Sequence, residues 1–410
     1  MRILYVVHEF FPRYFGGTER YVLNLAHQMQ QMGHHPEVLT YALDEPDEAL
    51  TETIGGLPAR RYVHEGVPVV ALRHREAPLD LDLRIADQRI VEAVDSLLAG
   101  GPCDLVHIAH PMRLGACHEA VRRRGVPLVL TLTDFWLPCP RGRFQKLDLS
   151  PCGSAERGDK CVRECRFEPS VTNRYDQARE LFEAADAVIA PSDFLIDVFR
   201  RQGWQRAIAR INHGVDNSLV PVEASPTRGT GRIRFGYTGV VTPFKGVDLL
   251  IRTFMAVDAP HLVLAIYGNI LWEDAFRRDL DHWFACDPRI KLMNRYEHEE
   301  LPEVMAGIDV LVVPSTTLDS YGLVVAESLA FGVPVIASDM VGAAHELVRD
   351  GENGFIYPAG EPDRLRGLIE RIAREPEIVA RLRAGIAPPP RLEEEAFQVE
   401  LVYRGVAGRR

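Results

Sequence analysis

Short apolar runs alternate with stretches of helical periodicity along almost the whole chain, and this alternation limits the fold more than any other feature. In the first half the runs are Arg2-Ile-Leu-Tyr-Val-Val7, Pro36 to Tyr41, Leu105-Val-His-Ile108, Leu128-Val-Leu-Thr131 and Ala187-Val-Ile-Ala190. In the second they are Arg232-Ile-Arg-Phe-Gly-Tyr237, Leu262 to Tyr267, Lys291-Leu-Met293, Val310 to Val313, Val335-Ile336 and Phe355-Ile-Tyr357. Helical patterns lie among them, as at Thr18 to Met32, Val247 to Phe254 and Leu301 to Ala306. Strands this short and this apolar are buried on both faces, which specifies parallel sheets covered by helices. At 410 residues the chain has room for two or three domains. The alternation breaks near Asn212-His-Gly-Val-Asp216 and the polar stretch Glu223 to Arg232. The predicted class is therefore α/β, with two Rossmann-like domains at 1–213 and 214–390 facing each other across a cleft. Pro388-Pro-Pro390 breaks the chain before a last helix, which leaves 391–410 free to pack back on the first domain.

Charge and cysteine usage narrow the function classes. A net charge of −11 provides no cation excess for phosphate backbones and argues against a nucleic-acid partner. The basic runs Arg122-Arg-Arg124 and Arg409-Arg410 read first as solvated helix ends and second as a peripheral membrane contact. The apolar opening Ile3 to Val7 is too short for a signal peptide, and no run approaches the ~20 residues of a transmembrane helix. A soluble, cytoplasmic chain with its seven cysteines reduced is expected.

Parallel sheets bind ligands at the carboxyl ends of their strands, so chemistry is sought in the loops after them. The most informative is Asp319-Ser-Tyr-Gly-Leu-Val-Val-Ala-Glu327, after the strand ending at Ser315. Asp319 precedes a helix N-terminus and Glu327 lies within the helix. The amides at Gly322 and Leu323 suit an anion such as a pyrophosphate, and the carboxylates suit hydroxyls at its two ends. A nucleotide sugar has this layout. Lys245, in Gly239-Val-Val-Thr-Pro-Phe-Lys-Gly246, is placed to meet a diphosphate, against the commoner fate of a solvated lysine. Gly16 and Gly17, in Phe15-Gly-Gly-Thr-Glu19, let backbone approach a phosphate closely or merely make a turn. Of His107 and His110, one is expected to be a hydrogen-bonded core histidine, and His110 is the candidate for the reacting centre. Base recognition is expected near Gly268-Asn269 and Asn294-Arg-Tyr296.

Cys139, Cys152, Cys161 and Cys165 fall in one polar loop. Four reduced thiols suit a tetrahedral structural zinc, although the spacing lacks the paired two-residue gaps of ordinary zinc sites. A cysteine-bearing insertion without metal is the alternative.

Gly16-Gly17-Thr18-Glu19, Ala190-Pro-Ser192, Asn212 to Asp216, Lys245 to Leu250, Ser320 to Ser338, Gly342, Glu346 and Gly351-Glu-Asn-Gly-Phe355 together resemble the retaining GT-B glycosyltransferases of family 4, over nearly the whole chain. The resemblance implies a hexosyltransferase that needs no catalytic metal. A UDP-, GDP- or ADP-sugar would be held by the second domain and a glycan, lipid-linked or small-molecule acceptor by the first. It implies Glu327 on the ribose, Lys245, Gly322 and Leu323 on the diphosphate, and Asp319 on the donor sugar. It also implies Gly17 near the phosphate and a leaving phosphate oxygen as base. Four positions depart from the family pattern. Asp319 stands for the usual glutamate, Val240 for an arginine, Thr133 for a histidine, and Ala109 where a histidine often precedes the position of His110. Those departures keep two other classes in play, a degenerate nucleotide-sugar-binding protein and a GT-B epimerase.

Overall fold

The computed structural model describes residues 1–14, 16–220, 231–293 and 295–408. Of the segments named above, Phe15, Glu223 to Thr230, Asn294 and Arg409-Arg410 lie outside the described residues. The chain divides into two compact units, 1–213 with 392–410, and 214–391.

The first unit is built on β1 (Arg2–Val6), β2 (His35–Tyr41), β3 (Glu52–Ile54), β4 (Leu57–His64), β5 (Val67–Leu72), β6 (Leu105–Ile108), β7 (Leu128–Thr131), β8 (Ala187–Ala190) and β9 (Ala209–Arg210). Side by side they run β3-β4-β5-β2-β1-β6-β7-β8-β9. Neighbours from β5 to β9 are parallel, and β4 runs antiparallel to both of its partners. Residues 3–6 of β1 are all buried, as a central strand covered on both faces requires.

The sequence pattern gave no strands between Tyr41 and Leu105, yet β3 to β5 fill that stretch. The reason is partial exposure. β4 carries Arg60 and Tyr62 on half-buried positions and Arg61 on an exposed one, so no continuous apolar run marks it. Glu65 and Gly66 join it to β5 with φ of 45° and 79°, the two-residue hairpin geometry that suits strand twist. The last helix, Leu392–Ala407, belongs to this unit. Its Ala396, Val399, Tyr403 and Val406 share one core with β1 and the helix Gly17–Gln31.

The second unit holds β10 (Ile233–Thr238), β11 (Leu262–Tyr267), β12 (Ile290–Met293), β13 (Val310–Val313), β14 (Val335–Ser338) and β15 (Gly354–Tyr357). All pairs are parallel, in the order β12-β11-β10-β13-β14-β15. Along β13, Val310 and Val312 enter the core on one face, while Leu311 and Val313 enter the core on the other. Successive side chains point to opposite faces and both are covered, which is why the strand reads as an unbroken apolar run. In each sheet the order reverses beside the first strand, between β1 and β6 and between β10 and β13. Chain leaving such a pair diverges to opposite sides and opens a crevice at the carboxyl ends.

Candidate functional site

In the second unit that crevice lies between the loops after β10 and β13. The first loop closes on a short helical turn, Pro243–Lys245, and Gly246 follows at φ 70°. A Cβ on Gly246 would lie 2.0 Å from the Pro314 carbonyl oxygen, so the two loops meet backbone to backbone. This approach carries Lys245 Nζ to 2.5 Å from Asp319 Oδ2, and Ser315 Oγ donates to the same oxygen at 3.4 Å. The Asp319 backbone is fixed separately. Its amide donates to Met340 at 2.8 Å, and its carbonyl accepts from Gly342 at 2.9 Å.

Gly322, at φ 85°, then turns the chain into the helix Leu323–Ala330. A Cβ there would meet Val341 Cγ1 at 2.8 Å. The amides of Gly322 and Leu323 open this helix and, like all first-turn amides, have no acceptor within it. They sit beside the Lys245–Asp319 pair, so a helix terminus and a cation converge. One turn on, Glu327 is half-buried. Burial raises the Tyr296 hydroxyl above its ordinary pKa, and the charge of Glu327 adds to this. Burial does the same to Tyr237, with Asp319 adding. Both carboxylates therefore border tyrosines at the ends of strands. Val240 is 43% exposed at the loop edge and brings no cation.

In the first unit the crevice lies between the loops after β1 and β6. His107, on β6, is fully buried and tied on both nitrogens, to Tyr403 Oη at 2.6 Å and Thr131 Oγ1 at 2.7 Å. Burial pushes it down to about 3, so it is a neutral core histidine. His110 stands past the strand end. Its Nδ1 accepts the Met112 amide at 3.3 Å, which leaves the proton on Nε2 to donate to Asp134 Oδ2 at 3.2 Å. Ala109 is buried, so the position before His110 faces the core.

Three residues the sequence reading did not single out complete this cluster: His8, Glu9 and Arg113. The His8 ring lies 4.1 Å from that of His110, and its Nδ1 is 3.7 Å from Glu19. Burial, with His110 and Arg113 nearby, holds His8 well below its ordinary value and therefore neutral at pH 7. Arg113, buried at φ 66°, donates to Asp82 at 2.6 Å and Glu9 at 2.8 Å. A non-glycine residue in that conformation gives no local sequence signal.

The helix Gly17–Gln31 begins here, with Gly16 at its N-cap. Glu19 takes up the Gly16 amide, and a Cβ on Gly16 would sit 2.7 Å from its carboxylate. Burial raises Glu19 to about 7. The ligand-capable atoms of His8, Glu9 and Glu19 gather within 4.8 Å, and among the described residues this is the group of three or more that does so. Arg113 already balances Glu9 there. Cavities of about 290 Å³ beside Arg234 and Ile308, and about 460 Å³ beside Arg2 and His35, lie toward the amino ends of the strands instead.

Of the other sequence candidates, Cys139 and Cys161 are buried while Cys152 and Cys165 are half-buried, all as free thiols. Arg123 pairs with Glu119 at 3.4 Å and Arg124 with Asp95 at 2.7 Å, so most of that basic run is neutralised in place. No helix among the described residues is long and apolar enough to cross a membrane.

Both halves of the chain resemble known proteins. Residues 15–219 match the family model described as Glycosyltransferase Family 4, and residues 223–386 match Glycosyl transferases group 1. A D-inositol 3-phosphate glycosyltransferase of a Nocardioides species is 26% identical, over 95% of this chain and 85% of its own. Among solved structures, sucrose-phosphate synthase from Thermosynechococcus elongatus superposes with a TM-score of 0.75 at 20% identity, covering 100% of both chains. Anabaena HepE, solved with UDP and glucose, gives 0.71 at 20% identity over 99% of this chain and 100% of its own. The first model alone spans half of the sequence, and the chain belongs to glycosyltransferase family 4, with the GT-B fold.

Proposed function

We propose that this glycosyltransferase moves a hexose from a nucleotide-diphosphate sugar to an acceptor hydroxyl with retention and without a catalytic metal. The observation that carries this reading is the Lys245–Asp319 pair beside the amides of Gly322 and Leu323. A cation, a carboxylate and a helix N-terminus at one strand-end crevice fit a sugar diphosphate. On binding, Lys245 turns from Asp319 to the diphosphate. Asp319 is thereby released to accept hydroxyl protons from the donor sugar. Glu327 holds the ribose diol.

The reaction breaks the bond from the anomeric carbon to the diphosphate oxygen. A new bond to the acceptor oxygen forms on the same face, and the acceptor proton passes to the departing phosphate oxygen. Lys245 and the two amides stabilise the charge that develops there, with each such donor contributing on the order of 3–4 kcal/mol. His110, its ring fixed by Met112 and Asp134, is the first unit's candidate for orienting acceptor hydroxyls, and Gly16 and Gly17 are its candidates for a close backbone approach to phosphate. The carboxylates Glu9, Asp82 and Asp134 outnumber the cations Arg113 and Arg143 in this cluster. This balance favours an uncharged, hydroxylated acceptor group over a phosphate. The HepE structure with UDP makes a UDP-sugar the first donor to try.

A thermal-shift and nucleotide-release screen with UDP-, GDP-, ADP- and dTDP-sugars tests the reading. One base class should stabilise the protein, and Glu327→Ala should abolish that stabilisation. Lys245→Ala should lower kcat/KM by about 100- to 1000-fold, the loss of one such donor. Added Mg²⁺ or Mn²⁺ should leave kcat unchanged, and product NMR should report the donor's anomeric configuration. Stabilisation without turnover, with any acceptor, would instead mark a binding protein, and an altered donor sugar would mark an epimerase.

A further inference from the structure

The cavity of about 290 Å³ beside Arg234 and Ile308 takes no part in the reaction above. It lies within the second unit, at the amino ends of β10, β13 and β14, whereas the donor crevice opens at the carboxyl ends. Separate elements supply its walls. Met305 comes from the helix Leu301–Ala306, and Ile308 from the turn into β13. Leu329 comes from the last turn of the helix Leu323–Ala330, and Val333 from the turn into β14. These four side chains are at most 3% exposed and make an apolar floor. Phe331 and Ile386, both half-buried, extend the apolar surface toward solvent.

Two charged side chains line the cavity, Arg234 and Arg383. Arg234 is fully engaged. Its Nε donates to Asp309 Oδ2 at 3.0 Å, one terminal nitrogen to Asp309 Oδ1 at 2.8 Å, and the other to the Ala306 carbonyl at 2.9 Å. Arg383, on the helix Glu377–Ala384, is not. Its Nε donates to the Gly332 carbonyl at 2.9 Å, and no carboxylate pairs with it among the described residues. That one bond fixes the plane of the guanidinium and keeps the edge with both terminal nitrogens for a ligand. Such an edge matches a carboxylate with two parallel hydrogen bonds.

We propose that this cavity binds a small amphipathic monocarboxylate, its carboxylate on the terminal nitrogens of Arg383 and its apolar body over Met305, Ile308, Leu329 and Val333. The charge balance selects a monoanion. Asp309 neutralises Arg234, which leaves one cation in the lining, and a second negative charge would be desolvated among apolar walls without a partner. A neutral amphiphile would leave the half-buried guanidinium without a counter-ion. Volume selects the size. At about 30 Å³ for each non-hydrogen atom, the cavity takes about ten of them, which is the size of an eight-carbon fatty carboxylate. An apolar cleft with one well-placed polar group is the ordinary form of a small-molecule site.

Calorimetric titration of the full chain with octanoate tests the proposal. It needs neither nucleotide nor acceptor, so its failure is separate from any failure of the transferase reading. One octanoate should bind per chain, with a Kd on the order of 0.1–1 mM. 1-Octanol, which has the same chain and no charge, should bind about tenfold more weakly or worse. Arg383→Met should weaken octanoate about 10- to 100-fold and leave 1-octanol unchanged. Should that variant fail to fold, wild-type chain with methyl-labelled methionine supplies a second readout. Of the eight methionines Met305 is the one in the lining, so its methyl signal, assigned with Met305→Leu, should shift as octanoate saturates. Absence of saturable binding, or octanol binding as tightly as octanoate, overturns the proposal. So does saturation that leaves the Met305 methyl signal unmoved.

Discussion

Glu19 occupies the same crevice as His110, in surroundings that favour its neutral form. Its folded-state pKa of about 7 exceeds the ordinary carboxylate value of 4.5. The native state therefore binds the proton more tightly, and stability from protonated Glu19 is complete below pH 4.5 and is lost as pH rises through about 7. The loss amounts to about 3 kcal/mol. Glu19→Gln keeps an acceptor for the Gly16 amide and removes the ionisation. Its Tm should gain on the wild type progressively between pH 5 and 8, and parallel Tm–pH curves for the two proteins would contradict this. Sequence alone placed two histidines at the end of β6 and preferred His110 as the candidate for the reacting centre. Tyr403 and Thr131, which occupy both nitrogens of His107, make His107 the hydrogen-bonded core histidine.

At the scale of elements, the second unit's site rests on two loops pressed together, and glycine is what permits the approach. Gly246→Ala would place a Cβ 2.0 Å from a backbone oxygen that cannot swing aside, at φ 70°. Gly332 has nearly the same φ, 71°, with nothing within 4 Å of its would-be Cβ. Gly332→Ala should therefore cost only the left-handed strain, about 1–2 kcal/mol. Gly246→Ala should cost clearly more and should weaken nucleotide binding as well. Urea unfolding of the two variants checks the difference, and equal losses would sink the packing explanation. Elements with unbroken apolar runs were legible in the sequence, as at Val310 to Val313. β4 was not, because a partly exposed strand carrying Arg60 and Arg61 lacks the apolar run that identifies a buried one.

At the scale of the molecule, the chain returns its last helix to the first unit. Tyr403 there bonds His107 and Tyr5, Glu400 meets His34 at 2.9 Å, and Glu395 meets His213 at 2.7 Å. Tyr403→Phe keeps the packing but leaves the His107 Nδ1 atom unpaired, at a cost of about 1–3 kcal/mol. Deleting 392–410 would also uncover the core that Ala396, Val399 and Val406 close. In calorimetry the truncated chain should show the first unit melting separately and early, with the second unit's transition kept. A single unchanged transition would exclude that role for the helix.

The sequence by itself determined the α/β class and the family, because the alternation of buried strands and helices and the run from Ser320 to Ser338 are local, ordered signals. Only the tertiary structure decided which charges meet. Lys245 with Asp319 and Glu9 with Arg113 are each joined across separate elements. Such pairings depend on which strand ends the sheet order places side by side and on how deeply each group is buried, and neither is written in any local stretch of residues.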